Sequence, residues 1–397
     1  MPLDLFRAKW HLRAMSMMRD LHTSRGPAAA FAAVGLYWGA FGALVPDLKP
    51  QVGLSDGGFG LALLVSTLGA IAAMWLAPRV DAALGRRVLP VLAVVMGVLF
   101  VLPGAAWNGI SFACAMMLAA MSTGTLDVAM NARLSVLEAR VGHSLMNLNH
   151  GIFSVAYGCS AVLTGFAREA GWNPLSVFVA LGLVTALLAI QMLCAPVPDP
   201  ERDETAAPPA ALSWWLLLPG GLIVLIAFMA EQGTEGWSAL HLERNLGAGA
   251  AQGALGPAIL GGTMAVGRLS GQLIVQRWSE ALVIRIAALL TAFGALVAAW
   301  AQNLAMAYTG FAMLGLGVSV MAPMAFAWVG RMVPVDRRAL AISRLTVVGY
   351  TGFFVGPPMM GGLSQLFGLQ VSFTAVAVLM LLVPLVLVPL VRRLDHA

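Results

Sequence analysis

Asp127, Asn131, His150 and Ser154 are polar groups inside or beside runs that are otherwise hydrocarbon-like, in "GTLDVAMNARLSVLEARVGHSLMNLNHG" (124–151) and the "HGIFS" that follows. On a helix, residues four apart share a face, so Asp127 and Asn131 form one polar patch. With the turn between the two runs near Val141, Asn131 and His150 stand at nearly equal depth, roughly 14 Å from it at ~1.5 Å per residue. Asp127 and Ser154 lie one turn deeper, and the four are expected to converge between two antiparallel helices. An ionised Asp at mid-bilayer costs about 2.5–3.5 kcal/mol, so it is protonated, paired or facing a water-filled cavity. Proton carriage is the chemistry this suggests for Asp127. His150, whose side-chain type titrates near neutrality, either shares that task or packs as a satisfied histidine.

Arg268 lies about nine residues from the end of its run at Arg277, roughly 13 Å in at ~1.5 Å per residue, close to the depth of Asp127. A buried cation needs an anion. Asp127 can supply it, or a substrate carboxylate, phosphate or sulfonate can, unless the arginine is a structural pair or snorkels. Glu231 is a second protonatable or gating candidate. It is expected in the outer part of its run, where Gly233 and Gly236 can break the helix, and too far along to pair with Arg268. Tyr37 and Trp38 suit stacking on a sugar-like or amphipathic solute, or packing between helices. Asn147 and Asn149 are expected to line the vestibule, and Asp47 to be a hydrated helix-end acid.

The elements that position these groups follow from composition. The chain has 397 residues, 60% hydrophobic and 10% charged, against about 25% charged for a soluble domain. Twelve apolar runs are long enough to cross ~30 Å of hydrocarbon. They lie near 27–47, 57–78, 88–107, 110–136, 144–167, 174–195, 213–235, 252–276, 281–301, 304–330, 338–363 and 371–391. Without period-2 alternation they read as helices, giving an all-α integral membrane protein. All but four of the 23 Lys and Arg fall at one side of these runs, the exceptions being Lys49, Arg168, Arg244 and Arg268. That asymmetry puts both termini in the cytoplasm. The net charge of +5 therefore reports topology and not nucleic-acid binding.

The Pro- and acid-rich stretch 196–212 splits the runs into six and six. A cytoplasmic tail (1–26), a six-helix half (27–195), a linker (196–212), a second six-helix half (213–391) and a short cytoplasmic tail (392–397) are expected. A shift of 193 residues brings Tyr157 onto Tyr350 and Gly124 onto Gly317, as in a duplicated, pseudo-symmetric unit. Cys114, Cys159 and Cys194 each sit alone, with no metal-ligand spacing. The sequence carries no phosphate loop, zinc helix or nucleophile elbow, so no enzyme, cofactor or metal is expected.

Over its transmembrane length the sequence resembles the major facilitator superfamily. "APRVDAALGRR" (77–87) is similar to its cytoplasmic loop signature, although Ala77 replaces the first Gly and one extra residue separates Asp81 from Gly85. "LDVAMN" with Glu138 and "HGIFS", together with "EQGTEGWSAL" (231–240) and "GRLSG" (267–271), resemble a fucose-permease-like branch. Leu44 and Glu235 depart from that branch's pattern. The resemblance implies the major facilitator fold and a secondary transporter working by alternating access. Asp127, His150 and Glu231 are then the proton-coupling candidates, and Asn131, Arg268, Tyr37, Trp38, Asn149 and Trp237 the substrate contacts for a small polar solute, sugar-like or anionic. Asp81, Gly85 and Arg86 form a latch expected to meet the helix starting near Arg338. Small-molecule substrate, protons and the lipid bilayer are the expected partners of a monomer in a bacterial-type inner membrane. A proton-driven efflux pump for amphipathic compounds and a non-transporting sensor are the alternatives.

Overall fold

The computed structural model describes residues 17–195, 197, 212–275, 277–334 and 337–395, with backbone alone for 271–275 and 339. The expected linker lies almost wholly outside the described residues, as do positions 1–16 of the expected N-terminal tail. Among the described residues, twelve long helices can be followed. They are α1 (Arg25–Gln51), α2 (Asp56–Leu84), α3 (Val88–Leu99, prolonged by a turn at Val101–Gly104), α4 (Gly109–Val141), α5 (Met146–Glu169) and α6 (Pro174–Leu193). The second set is α7 (Trp214–Leu246), α8 (Ala250–Val275), α9 (Glu280–Ala299), α10 (Leu304–Met332), α11 (Arg338–Phe367) and α12 (Leu369–Leu382, continuing to Asp395). Each helix overlaps one expected run, in order. The largest difference is α7, which continues past the fall in hydropathy at 235 to Gly247, where a φ of +67° ends it. Neither Gly233 nor Gly236 breaks it.

Local chemistry sets the ends. Asn108, Asn173 and Asn303 each accept a bond from the backbone three residues on, at 2.8, 2.9 and 2.9 Å, and so start α4, α6 and α10. A cap of this kind is worth about 1 kcal/mol. In α12, Pro384 lacks an N–H and the helix widens to a π-turn over Val383–Leu387 before resuming. The "GYTGFFVGPPMMGG" run (349–362) stays within one continuous α11, so its glycines serve close approach and not a break.

Burial separates central from peripheral helices. The apolar window of α1 is 83% buried and that of α6 only 28%, with Leu183, Leu187 and Ile190 exposed, so α6 turns its apolar side outward to lipid. The helix pairs α1·α5, α5·α8 and α2·α4 have counterparts in α7·α11, α11·α2 and α8·α10. Glycine makes these approaches possible. A Cβ at Gly35 or Gly39 would collide with the backbone of Phe153 and Tyr157 on α5. Likewise Gly352 of α11 lies against Leu225 and Met229 of α7, and Gly261 of α8 against Tyr157 and Gly158 of α5. Small residues at crossings are how membrane helices gain close packing.

The start of α1 and the end of α6 lie together, with Arg25 Nη2 donating to the Cys194 carbonyl at 3.0 Å. We call this the termini end and the opposite side the far end. Helix propensity alone favours Ala over Gly by about 0.8–1.0 kcal/mol, whereas overpacking costs about 1–3 kcal/mol. Gly39→Ala should therefore lower the thermal unfolding midpoint in detergent. Gly262→Ala, with nothing within 4 Å of its Cβ, should leave it unchanged or raise it; equal shifts would show that the α1–α5 approach is not tight.

Candidate functional site

At mid-depth, α7 presents Glu231 and, one turn on, Glu235. Arg268 of α8 donates through Nη2 to Glu231 Oε1 at 3.0 Å and through Nη1 to Ser154 Oγ of α5 at 2.9 Å. Both charged side chains are mostly buried, at 19% and 15% exposure. Ser154 Oγ in turn donates to the His150 carbonyl. Glu235 is within electrostatic range of both Glu231 and Arg268, and the Tyr157 ring of α5 is within range of both carboxylates. The Tyr157 hydroxyl and the Glu235 carbonyl both approach Gly42 of α1. The cluster thus sits where helices of the first six (α1, α5) meet helices of the last six (α7, α8).

This corrects the expected partner of Arg268. It is Glu231 that answers the guanidinium, and the reason is the true length of α7. Counted from its end at Leu246, Glu231 lies roughly 22 Å in at ~1.5 Å per residue, and Arg268 lies roughly 27 Å from the start of α8. An arginine side chain spans the difference.

The expected four-residue convergence divides in two. Asn131 Nδ2 donates to both the carbonyl and Oδ1 of Asp127, at 2.9 and 3.2 Å, so the α4 patch exists. His150, however, stands edge-on to Phe31 of α1 at 4.8 Å and within electrostatic range of Arg268. Although consecutive, α4 and α5 barely touch: α4 lies on α2, and α5 on α1 and α8. What Asp127 has across from it is Tyr350 of α11, within electrostatic range.

Several expected contacts have structural work instead. Tyr37 is fully buried against Phe100 of α3, centroids 4.7 Å apart, and Phe178 of α6, inside the first six helices and away from the cluster. Trp38, partly buried, packs edge-on against Phe41 and Phe100. Asn149 is fully buried; its Nδ2 donates to Ser24 Oγ at 3.2 Å and the Leu145 carbonyl at 2.9 Å, so it lines no vestibule. Trp237 is 1% exposed and edge-on to Phe59 of α2, an aromatic contact between the two sets of six. Glu138, part of the "LDVAMN…HGIFS" pattern, caps α5: its Oε1 accepts from the Leu145 and Met146 amides at 2.6 and 2.8 Å.

At the termini end no bond between Asp81 and α11 is seen among the described residues. Arg133 of α4, 1% exposed, donates to Asp81 Oδ1 at 2.7 Å and to the Gly85 carbonyl at 3.1 Å, holding the α2–α3 turn, where Gly85 has a φ of +50°. Arg86 is exposed. At the far end the picture reverses. Arg168 of α5 joins Asp47 of α1 (2.7 Å) to Glu243 of α7 (2.6 Å), so Asp47 is paired and not merely hydrated. Asp56 of α2 takes Lys49 (2.8 Å), Arg244 of α7 (2.6 Å) and the Ser364 hydroxyl of α11. Gln365 Oε1 accepts from Ser55 and the Gly57 amide, and Gly60 and Gly361 let α2 and α11 touch. Two charged clasps therefore close the far end across the two sets of helices. Toward the termini end of α2, Met74 and Trp75 are 41% and 70% exposed.

The profile described as Major Facilitator Superfamily matches residues 221–397. An uncharacterised MFS-type transporter of Yersinia pestis is 31% identical, over 89% of this chain and 92% of the relative. The chain belongs to the major facilitator superfamily. It is accordingly a multi-pass membrane protein and a secondary transporter, not an enzyme. Membrane protein MosC of Rhizobium meliloti is 26% identical over 89% of this chain and 88% of its own. Among solved structures, an inward-facing, occupied bacterial homologue of the human lysosomal transporter Spinster aligns with a TM-score of 0.73 at 15% identity, covering 96% of this chain and 97% of that one. The nucleoside transporter NupG aligns with a TM-score of 0.72 at 10% identity, covering 94% and 98%. At these identities the likeness is of fold alone.

Sequence reasoning singles out Glu235 only as a departure from a pattern, and Tyr157 and Tyr350 only as a repeat match. The signal for Glu235 is its four-residue spacing from Glu231. Removing one member of a buried ion pair strands the other. Arg268→Gln should thus lower the thermal midpoint of this transporter more than Arg268→Gln combined with Glu231→Gln. A double variant that loses the sum of the two single losses would show that the two side chains act independently.

Proposed function

We propose that this superfamily member is a proton-coupled transporter of a small polar organic solute, of the fucose-permease-like branch. It resides in a bacterial-type plasma membrane with both termini cytoplasmic. The positive-inside distribution of Lys and Arg supports that orientation. In it, the far-end clasps close the extracellular side and the described conformation opens inward.

The observation that carries the coupling is two carboxyls near one guanidinium at mid-depth: Glu231 is bonded to Arg268, and Glu235 is within electrostatic range of both. With both acids ionised the group carries a net negative charge in a low-dielectric setting; one added proton makes it neutral. Its neighbours Ser154 and Tyr157 belong to α5, in the other six-helix set, so a rocking motion changes the surroundings of the carboxyls. A site whose two protonation states differ in energy between conformations is what coupling requires. Glu235, which has no ion pair among the described residues, is the carrier, and Glu231 holds the arginine in place. His150 borders the cluster from α5. Asp127, given Tyr350 and Asn131 as neighbours in place of Arg268, serves the solute instead of the proton.

Glu235→Gln keeps shape and removes titration. In proteoliposomes it should reduce proton-driven accumulation to the equilibrium ratio while counterflow of the same solute continues, because exchange needs the moving cavity but no net proton step. Wild-type accumulation by Glu235→Gln would overturn the assignment.

A further inference from the structure

Asp127 is the mid-membrane acid that the cluster leaves unanswered. Arg268 is committed to Glu231 and Ser154. Asn131 occupies Asp127 Oδ1, and among the described residues Oδ2 has no partner. Tyr350 of α11 is within electrostatic range of Asp127, and it belongs to a group of three rings from α7 and α11. Phe228 and Phe353 stack with centroids 4.8 Å apart, and Tyr350 stands 5.9 Å from Phe228 and 5.6 Å from Phe353. Asp127, Asn131, Phe228, Tyr350 and Phe353 are all partly exposed. Gly349 and Gly352 hold α11 against Val224, Leu225 and Met229 of α7. The α11 face that carries Tyr350 and Phe353 continues to Pro357, Gly361 and Ser364, the positions that close on α2 at the far end. This face therefore looks into the gap between the two sets of helices.

A carboxylate opposite aromatic faces selects positive charge. Ring quadrupoles attract a cation at their faces, more strongly when water is excluded, and the carboxylate supplies a charge-assisted acceptor for its N–H groups. An anionic solute meets the reverse: an uncompensated acid on one side and an arginine already taken on the other. We infer that the transported solute is an organic cation, an ammonium held by Asp127 and Asn131 of α4 and capped by the Phe228, Tyr350 and Phe353 rings. This rests on the reading of the protein as a transporter of a polar organic solute, and it narrows that solute's charge.

The test uses three probes of one shape: cyclohexylammonium, cyclohexanol and cyclohexanecarboxylate, titrated against the full-length protein in nanodiscs. Affinity is read by calorimetry and by thermal shift. Cyclohexylammonium should bind, with the alcohol and the carboxylate each weaker by about tenfold or more. Asp127→Asn should remove the preference for the ammonium over the alcohol, and Phe228→Leu, which keeps the site apolar, should weaken the ammonium by about fivefold. If Asp127→Asn does not fold, Phe228→Leu and Phe353→Leu carry the decision. Equal or tighter binding of the carboxylate, no binding of the ammonium, or unchanged ammonium affinity in both ring variants would overturn the proposal. Binding does not require coupling. Ammonium binding without proton-driven uptake would overturn the coupled-transport reading alone, and proton-driven uptake of a neutral solute without ammonium binding would overturn this inference alone.

Discussion

A guanidinium in the middle of a bilayer has to be answered by an anion within reach of its own side chain, because hydrocarbon offers neither screening nor hydrogen bonds. Arg268 imposes that condition here, and much of the centre of the molecule follows from it. Glu231 must face α8, so α7 cannot break at Gly233 or Gly236 without disturbing the pair. Ser154 fills a remaining donor direction of the arginine, which ties α5 to α8, and Gly158 and Gly261 bring the two backbones close enough for that bond to form. Glu235 then stands near a cation that is already neutralised, and Asp127 has no ion pair among the described residues. On the proposed reading, one pairing choice sorts three buried acids into an anchor, a proton site and a cation site.

The far end obeys the same electrostatics with a different outcome. Lys49, Arg168 and Arg244 are the basic residues that depart from the positive-inside pattern outside the spans, and each is paired with an acid: Asp56, Asp47 with Glu243, and Asp56 again. Buried or half-buried, such pairs act less as net stabilisation than as specificity, since the desolvation penalty offsets much of the attraction. What they specify is which helices meet. Arg168 and Arg244 both cross between the first and last six helices, so the clasps exist in one conformation and must part in the other.

Much of the fold is legible in the sequence because its signal is long: a run of about twenty apolar residues has few readings. The site is less legible because its signals are short and depend on neighbours that hydropathy does not name. The partner of Arg268 does not read correctly, because "EQGTEGWSALHLERNL" lowers hydropathy without ending α7. Tyr37 and Asn149 have the right chemistry for a cavity, but the helices lying over them, α3 and α6 for Tyr37 and the lead-in to α1 for Asn149, cannot be known from local pattern. For Asp81 the sequence names no partner on α4: Arg133, buried there, holds it in this conformation, and a single arginine in an otherwise apolar run gives no hint of which loop it holds. The exceptions to the charge asymmetry at the far end were visible throughout; what the sequence lacks is the register that turns three stray cations into two clasps.

The clasp around Asp56 has a further consequence. Its members are unevenly shielded: Asp56 and Lys49 are 7% and 14% exposed, whereas Arg244 is 41% exposed, so the contact that bridges the two sets of helices is also the one that dissolved ions can reach. Salt weakens exposed pairs far more than buried ones, over a Debye length of about 8 Å at physiological strength. The resting balance between the two orientations of the cavity is therefore tied to the saltiness of the medium on the far side. Ionic strength thus enters the energetics of this carrier through a single exposed arginine.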